Sequence, residues 1–516
     1  MLEVAVASGN QLAADAGARV AREGGNAVDA AIAASLVSCV VEPGVCSLAA
    51  SGFLTIWPPG DAPVMIDGAA VMPGTGLPKS RFGQATAEVF LEYGGGMRTT
   101  VGHGSVAVPG NLAAYALASG RYGRVPWRVL VEPAWELARD GFPLSEASCL
   151  YLQLTHESIY GWDKHSLETF YDADGELYKP GSMVRIEHLD ESLRCIAEGG
   201  ADEFYRGDLA RQITACIEAH GGILTRRDMA GYQALLSPTL DVEVNDWTVA
   251  TDSPPALGGA VLVAMLLLMG DRPQDDWTPA ELEHLIRVQE AVLDFRYDHL
   301  DGSENLPGDV RNLLEQASTG DLRSFLSSPS TVHASAVDSA GLACSVTVSA
   351  GYGSGVLPPG TGIFMNNSLG ELELNRRGVH VWNPGSRLPS NMAPTVARHR
   401  DGAVLAVGSP GASRITTAIQ QTLVNFMQLG MPLQAAVDHA RLHVEEADGH
   451  MLVAYEEALP VHQLDVPQRM FPGISMYFGG VSAALWDPRE GFVVAADPRR
   501  AGGTALSGNA EPGRIA

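Results

Sequence analysis

The stretch SSPSTVHASAVDSAG, residues 327–341, runs from a Ser/Pro-rich turn straight into an alternating, strand-like segment whose first residue is Thr331. A strand deep inside a chain that starts as sharply as a new protein raises the question of what its first side chain does. A Thr hydroxyl can attack a carbonyl, but it is a weak nucleophile at neutral pH and needs a base nearby. His333 lies two residues on and so shares a strand face with Thr331. Attack on a carbonyl also builds negative charge on oxygen, which calls for preorganised N–H donors. The stretch GSPGASRI, residues 408–415, reads as a tight Gly-containing turn running into a helix and could offer them. On these residues alone the plain alternative, a strand Thr and a structural helix-start turn, stays open.

The elements that must position these residues follow from periodicity. Helical spacing from residue 12 stops at Gly24-Gly25, and Asn26 is placed to cap a second, Ala-rich helix with Asp29 in its first turn. The nearly continuous apolar far end of that helix predicts burial on all sides. GFLTIW and PVMIDGAAV read as strands, LDVEVNDWTVATDSPP as two strands and a turn, and residues 279–300 as a long amphipathic helix. TVHASAVDSAGLACSVTVS reads as a hairpin turning at Asp338 to Gly341. GTGIFMNN, PTVARHRDGAVLAVGSPG, HVEE and GGVSAALWDPREGFVVAADPRR add strands, with a helix at about 413–429. A mostly helical first two-thirds feeding a strand-rich last third predicts one α/β unit and not two independent domains.

Composition narrows the function. A chain of 516 residues with 46% hydrophobic and 18% charged residues can bury a large core. A formal net charge of -26 argues against nucleic-acid or anionic-membrane partners. The six cysteines show no C-x-x-C or zinc-type spacing and read as buried free thiols. The 14 histidines form no paired ligand pattern, so no metal and no cofactor are predicted. MLEVAVASGNQ lacks the basic and apolar regions of a signal peptide, and the apolar runs are too short to span a bilayer. These features predict a cytoplasmic protein whose partner is a small-molecule substrate. Homo-oligomerisation stays open.

Taken in order, EGGNAVDAAIAASL, VPGNLAAY, YGRVPWRVLVEPAWELARDGF, FYRGDLARQI, GGILTRRDMAGY, TVHASAVDSAG, GTGIFMNN, APTV, GSPGASRI and DPRRAGG resemble successive motifs of the γ-glutamyltransferase family of N-terminal nucleophile hydrolases. The resemblance implies a four-layer αββα sandwich formed jointly by a large segment, 1–330, and a small one, 331–516. It implies self-cleavage before Thr331, with the two pieces staying together. Thr331 would then be a true N-terminus, and its α-amine, with a reference pKa of about 7.7 to 8.0, would be the base. The same resemblance gives Thr331 the nucleophile's role and Ser349 that of a hydroxyl bonded to it. It gives the N–H groups of Gly411 and Ala412 the oxyanion hole, where the family usually has two glycines. His333 matches a T-x-H pattern as an orienting or packing group. Ser390 and Asn391 in LPSNMAPT fall where the family has two substrate-contacting serines, and Asn367, Ser368 and Glu371 of NNSLGEL fall at its substrate-amine end.

The departures share a theme. Ala69 of DGAAVMP stands where the family motif D-x-R-E-x-A-P carries the Arg that forks onto a γ-glutamyl α-carboxylate. Ser368 replaces a Gln or Glu, Glu371 replaces an Asp, TVSAGYGSG is short and lacks an Asn, and SLAASGF replaces a glycine-rich run. The resemblance therefore implies a hydrolase or acyltransferase whose acyl group is not γ-glutamyl. Relatives of that kind include oxamate-type amidohydrolases and the C–C bond hydrolases of 4-alkyl-proline antibiotic pathways. An ordinary γ-glutamyltransferase acting on glutathione, served by an Arg from elsewhere such as Arg98 or Arg387, is one alternative. A non-enzymatic scaffold is another.

Overall fold

Asn26 caps the helix Ala27–Val41 reciprocally: its side chain accepts the N–H groups of Val28 and Asp29, while the Asp29 carboxylate takes the N–H of Asn26. Every residue of this helix is buried, and its many Ala side chains let it lie close on the sheet beneath. Each Val or Leu it buries contributes about 1.5 to 3 kcal/mol relative to exposure. It packs against the helix Gln11–Arg22 and onto the strands Val4–Ser8, Val332–Asp338 and Ala343–Ser349. The computed structural model describes residues 2–92, 96–270, 277–319, 331–447 and 450–508.

Those strands belong to a seven-stranded sheet, ordered Gly503–Leu506, Val4–Ser8, Val332–Asp338, Ala343–Ser349, Ser51–Trp57, Val64–Gly68, Leu235–Pro238. A six-stranded sheet runs Gly491–Ala496, Ser482–Asp487, Val404–Gly408, Thr395–His399, Trp247–Thr251, Leu240–Val244. The two stack face to face, with Val332–Asp338 over Val404–Gly408 and Ser482–Asp487. The helices Gly258–Met269, Pro279–Phe295 and Arg414–Leu423 share the core beyond the second sheet. The result is the four-layer αββα sandwich. In both sheets, strands from before residue 331 are hydrogen-bonded to strands from after it: Val4–Ser8 to Gly503–Leu506 and Val332–Asp338, Ser51–Trp57 to Ala343–Ser349, and Trp247–Thr251 to Thr395–His399.

The space between the sheets is divided by polarity. Ala5, Trp57, Val337, Val396, Val404 and Ala484 fill one part as an apolar cluster. Elsewhere hydroxyls tie the sheets together: Ser345 Oγ donates to Val407 C=O at 2.9 Å and accepts Thr395 N–H at 3.0 Å. Ser335 Oγ donates to Ser482 C=O at 3.1 Å.

Three expectations are corrected. GTGIFMNN is not a strand: only Met365 makes a single bridge, to Ala49, because Gly360 and Gly362 take positive φ of 75° and 63° and bend the chain away from pairing. The strand predicted over PVMIDGAAV stops at Gly68, where the Asp67 carboxylate accepts Ala69 N–H at 2.8 Å and turns the backbone. Cys195 and Cys216 are partly exposed, whereas the other four cysteines are buried; all six are free. The described residues include no helix long and apolar enough to cross a membrane.

Candidate active site

Three neighbouring strands of the seven-stranded sheet bring hydroxyls to the same end. Thr331 immediately precedes Val332–Asp338, and the register Val332 to Val348 sets it level with Ser349. Ser349 in turn pairs with Ser51, whose Oγ donates to Ser349 C=O at 3.1 Å. Ser349 Oγ accepts the N–H of Gly351 at 3.1 Å. Thr331, Ser349 and Ser51 are all buried and line one narrow cavity. Its remaining wall comes from Ala70, Ser368, Glu371, Leu374, the segment 388–392 and Ala412. Ser330, on the other side of the expected cleavage point, and the turn at 327–330 lie outside the described residues.

Ala412 sits in a turn at the N-terminus of the helix Arg414–Leu423, whose dipole favours negative charge there. Gly411 has φ 127° and Ala412 φ 52°. Two successive residues in this region point backbone N–H groups outward. Among the described residues neither N–H has a protein acceptor. The turn is braced from behind: Ser409 Oγ accepts Gly480 N–H at 3.1 Å and donates to Pro410 C=O at 2.7 Å. Gly479 lies so close that an added Cβ would meet Ser409 Oγ at 2.6 Å.

His333 does not reach the cavity wall. Its Nδ1 lies 2.8 Å from Thr347 Oγ1 and its Nε2 2.8 Å from Ser335 Oγ. Ser335 spends its one proton on Ser482 C=O, so its Oγ accepts from His333 Nε2–H and leaves Nδ1 to accept from Thr347. Burial pushes the imidazole pKa down to about 3, so the ring is neutral. It fills the inter-sheet space against Gly408, where a Cβ would sit 2.3 Å from the ring.

The other candidate residues divide into two groups. Ser390, Asn391, Ser368 and Glu371 line the cavity. Asn391 Oδ1 and Ser368 Oγ are buried with no protein partner among the described residues. Ser390 C=O anchors the start of the helix Gly258–Met269 by accepting Leu257 N–H at 2.7 Å. Burial, with Glu373 beside it, holds Glu371 well above the usual carboxylate range, and burial pushes Glu373 up to about 7. Glu371 therefore faces the cavity as a much weaker acid than an ordinary carboxyl.

Asn367 and Ala69 lie outside the wall. Asn367 Nδ2 donates to Thr99 Oγ1 and Thr100 C=O, both at 3.0 Å, and its Oδ1 accepts Tyr352 N–H at 2.7 Å, so its polar atoms serve the scaffold. Ala69 packs in the apolar core with Phe53 and Met65, and it is Ala70 that lines the cavity. Neither arginine named as a substitute for the missing fork lines the cavity: Arg387 pairs with Asp67 at 2.7 Å, and the exposed Arg98 pairs with Glu88 at 2.5 Å. Sequence reading missed Ser51, Glu373, Gly408 and the Gly479-Gly480 brace. Each works through a partner remote in sequence, and only the glycines carried a signal, as unexplained Gly in strand-like runs.

A four-layer sandwich with a Thr at the head of a central strand, facing a helix-start turn of free N–H groups, defines an enzyme of the N-terminal nucleophile hydrolase and acyltransferase class. The profile described as Gamma-glutamyltranspeptidase matches residues 13–507, and the chain belongs to that family. It is 28% identical over 479 residues to the glutathione hydrolase proenzyme of Escherichia coli (strain K12), covering 85% of this chain and 80% of that one. It is 29% identical over 472 residues to the proenzyme of the same name from Pseudomonas aeruginosa, covering 85% and 82%. The crystal structure of cephalosporin acylase from Bacillus halodurans superposes with a TM-score of 0.79 over 98% of this chain and 96% of that one, at 24% identity.

Proposed function

We propose that the chain cuts itself before Thr331, and that the freed Thr331 transfers a small acyl group which is not γ-glutamyl. The observation that carries the substrate half is the charge of the cavity: among the described residues that line it no side chain is cationic, and burial raises the pKa of its one carboxyl and so disfavours the anion. A γ-glutamyl donor brings an α-carboxylate, whose burial without a cationic fork is costly. Neutral polar groups fit better, because they can meet Asn391 Oδ1 and Ser368 Oγ.

The steps follow from the site. The neutral α-amine of Thr331 takes the Oγ proton as Oγ bonds to the carbonyl carbon. The electron pair moves to the carbonyl oxygen, which the N–H groups of Gly411 and Ala412 receive. Collapse expels the leaving group, which takes the proton back from the ammonium, and leaves an ester on Thr331. Water or an amine then attacks that ester by the same route. Ser349 is level with Thr331 and orients it. The scheme serves an amide or a carbon–carbon bond next to a carbonyl, provided the leaving carbanion is stabilised.

Intact mass on the purified protein tests both halves. The wild type should give chains of 330 and 186 residues, the second being residues 331–516, and Thr331→Ala a single inactive chain. Normal cleavage in that variant would overturn the first half. Mass added to the 331–516 chain after brief exposure to candidate amides and α-ketoacyl compounds names the acyl group. Glutathione turnover with kcat/KM near ~10⁴ M⁻¹s⁻¹, the lower end of ordinary enzymes, would overturn the second half and give this chain the activity that its curated relatives' names state.

A further inference from the structure

A second cavity, of about 610 Å³ and with no lining residue in common with the first, is lined by His103, Cys216 and His220 together with Trp162, Asp163 and His165. One ligand atom each from His103, Cys216 and His220 lies within 4.8 Å of the other two. We propose that these three side chains bind a borderline-soft divalent transition-metal ion of the zinc type. The fourth position would be open to solvent on the side of Asp163 and His165.

The donor set fits the ion. Two imidazoles and a thiolate suit zinc and its neighbours and exclude calcium and magnesium, which require oxygen ligands. Cys216 and His220 are one helical turn apart at the end of the helix Asp208–Ala219, so they project on the same side. His220 is already oriented: its Nδ1 lies 2.8 Å from Cys216 C=O. A carbonyl only accepts, so Nδ1 carries the proton and Nε2 keeps its lone pair for a metal. The His103 ring stacks on His220 with centroids 4.4 Å apart, and Cys216 Sγ lies 4.0 Å from His103 Nε2. In a tetrahedral site with Zn–N of about 2.0 Å and Zn–S of about 2.3 Å, ligand atoms stand roughly 3.5 Å apart. The three ligand atoms stand within 4.8 Å of one another, and the two stacked rings rotate out of parallel on binding so that both nitrogens face one ion. Gly222 permits this closeness, since a Cβ there would meet His103 C=O at 2.6 Å. On binding, the Cys216 proton passes to solvent and the sulfur bonds the ion.

Such an ion would clip the helix end to the turn His103–Ser105. That turn is pinned in turn to the cavity-lining segment, with Leu369 N–H donating to Ser105 C=O at 3.2 Å and Thr100 N–H to Gly370 C=O at 3.0 Å. The motif escapes a search by spacing because its third ligand lies far from the other two in sequence.

The test is titration of chelator-treated full-length protein with Co²⁺, followed by displacement with Zn²⁺. The expected result is one ion per chain, a thiolate-to-cobalt charge-transfer band in the near ultraviolet, and visible bands of tetrahedral cobalt. Cys216→Ser should abolish the charge-transfer band, while Cys195→Ser leaves it intact. His103→Ala and His220→Ala should each weaken Zn²⁺ binding at least tenfold, with far-ultraviolet circular dichroism unchanged. Absence of the band in the wild type, its survival in Cys216→Ser, or Zn²⁺ binding no tighter than millimolar would each overturn the proposal.

Discussion

Gly408 and His333 occupy one space, since a Cβ on residue 408 would lie 2.3 Å from the imidazole. Gly408→Ala should therefore destabilise the fold by about 1 to 3 kcal/mol, the usual cost of overpacking. Adding His333→Ala should recover part of that loss, which urea denaturation of the two single variants and the double variant would show; additive losses would refute the shared space. Glu371 makes a second prediction. Because burial raises its pKa and so favours the protonated form, Glu371→Gln should hold kcat/KM within about threefold of wild type at pH 7. A hundredfold loss would mean that it acts as an anion. At this scale the sequence was half legible. Thr331, Ser349 and Ala412 announce themselves by residue type and motif, and so does the missing Arg. The protonation of Glu371 depends on Glu373 and on burial, neither of which a local pattern encodes, and the shift from Ala69 to Ala70 at the cavity depends on the turn at Asp67.

At the scale of elements, the turn at 409–413 is held by a contact that crosses from one sheet connection to another. A methyl group at Gly479 would press on Ser409 Oγ and on Pro410 C=O, at 2.6 and 2.8 Å. Gly479 also has φ 87°, which an Ala tolerates poorly. Gly479→Ala should move the N–H groups of Gly411 and Ala412 and cost at least about tenfold in kcat, on the scale that loss of oxyanion donors reaches. KM should change little; a rise in KM with kcat intact would place the turn at substrate binding instead. Elements with a strong local signal were legible. The Asn26 capping box marks the helix start, and the turn Asp338 to Gly341 marks the hairpin. GTGIFMNN was not, because its β-like composition is overruled by the bends at Gly360 and Gly362, and the Asn366 side chain then holds the segment by donating to Ala49 C=O at 2.9 Å and Ala107 C=O at 3.1 Å.

For the whole molecule, buried acids and buried histidines set the pH range of stability. Burial pushes Glu42 and Glu373 up to about 7 from the usual 4.5. Their folded forms keep a proton that the unfolded chain releases, so stability is full below pH ~4.5 and declines as pH rises towards 7. His333 acts in the opposite sense: neutral when folded down to about pH 3, it costs stability as pH falls below 6.5. Glu373→Gln should therefore flatten the loss of Tm between pH 5 and 8, and an unchanged slope would show that Glu373 ionises freely. A single α/β unit followed from the order of helical and strand-like segments and the αββα layering from the family resemblance, but the strand order did not follow from either, since it depends on which distant strands pair. That order has a consequence. Val4–Ser8 lies hydrogen-bonded between Gly503–Leu506 and Val332–Asp338, Ser51–Trp57 pairs with Ala343–Ser349, and Trp247–Thr251 pairs with Thr395–His399. After a cut before Thr331 the two pieces are woven through both sheets, and they part only when the sheets come apart. Renaturation of the cut protein then becomes a second-order reaction whose half-time lengthens on dilution, whereas uncut Thr331→Ala regains its fold at a rate independent of concentration.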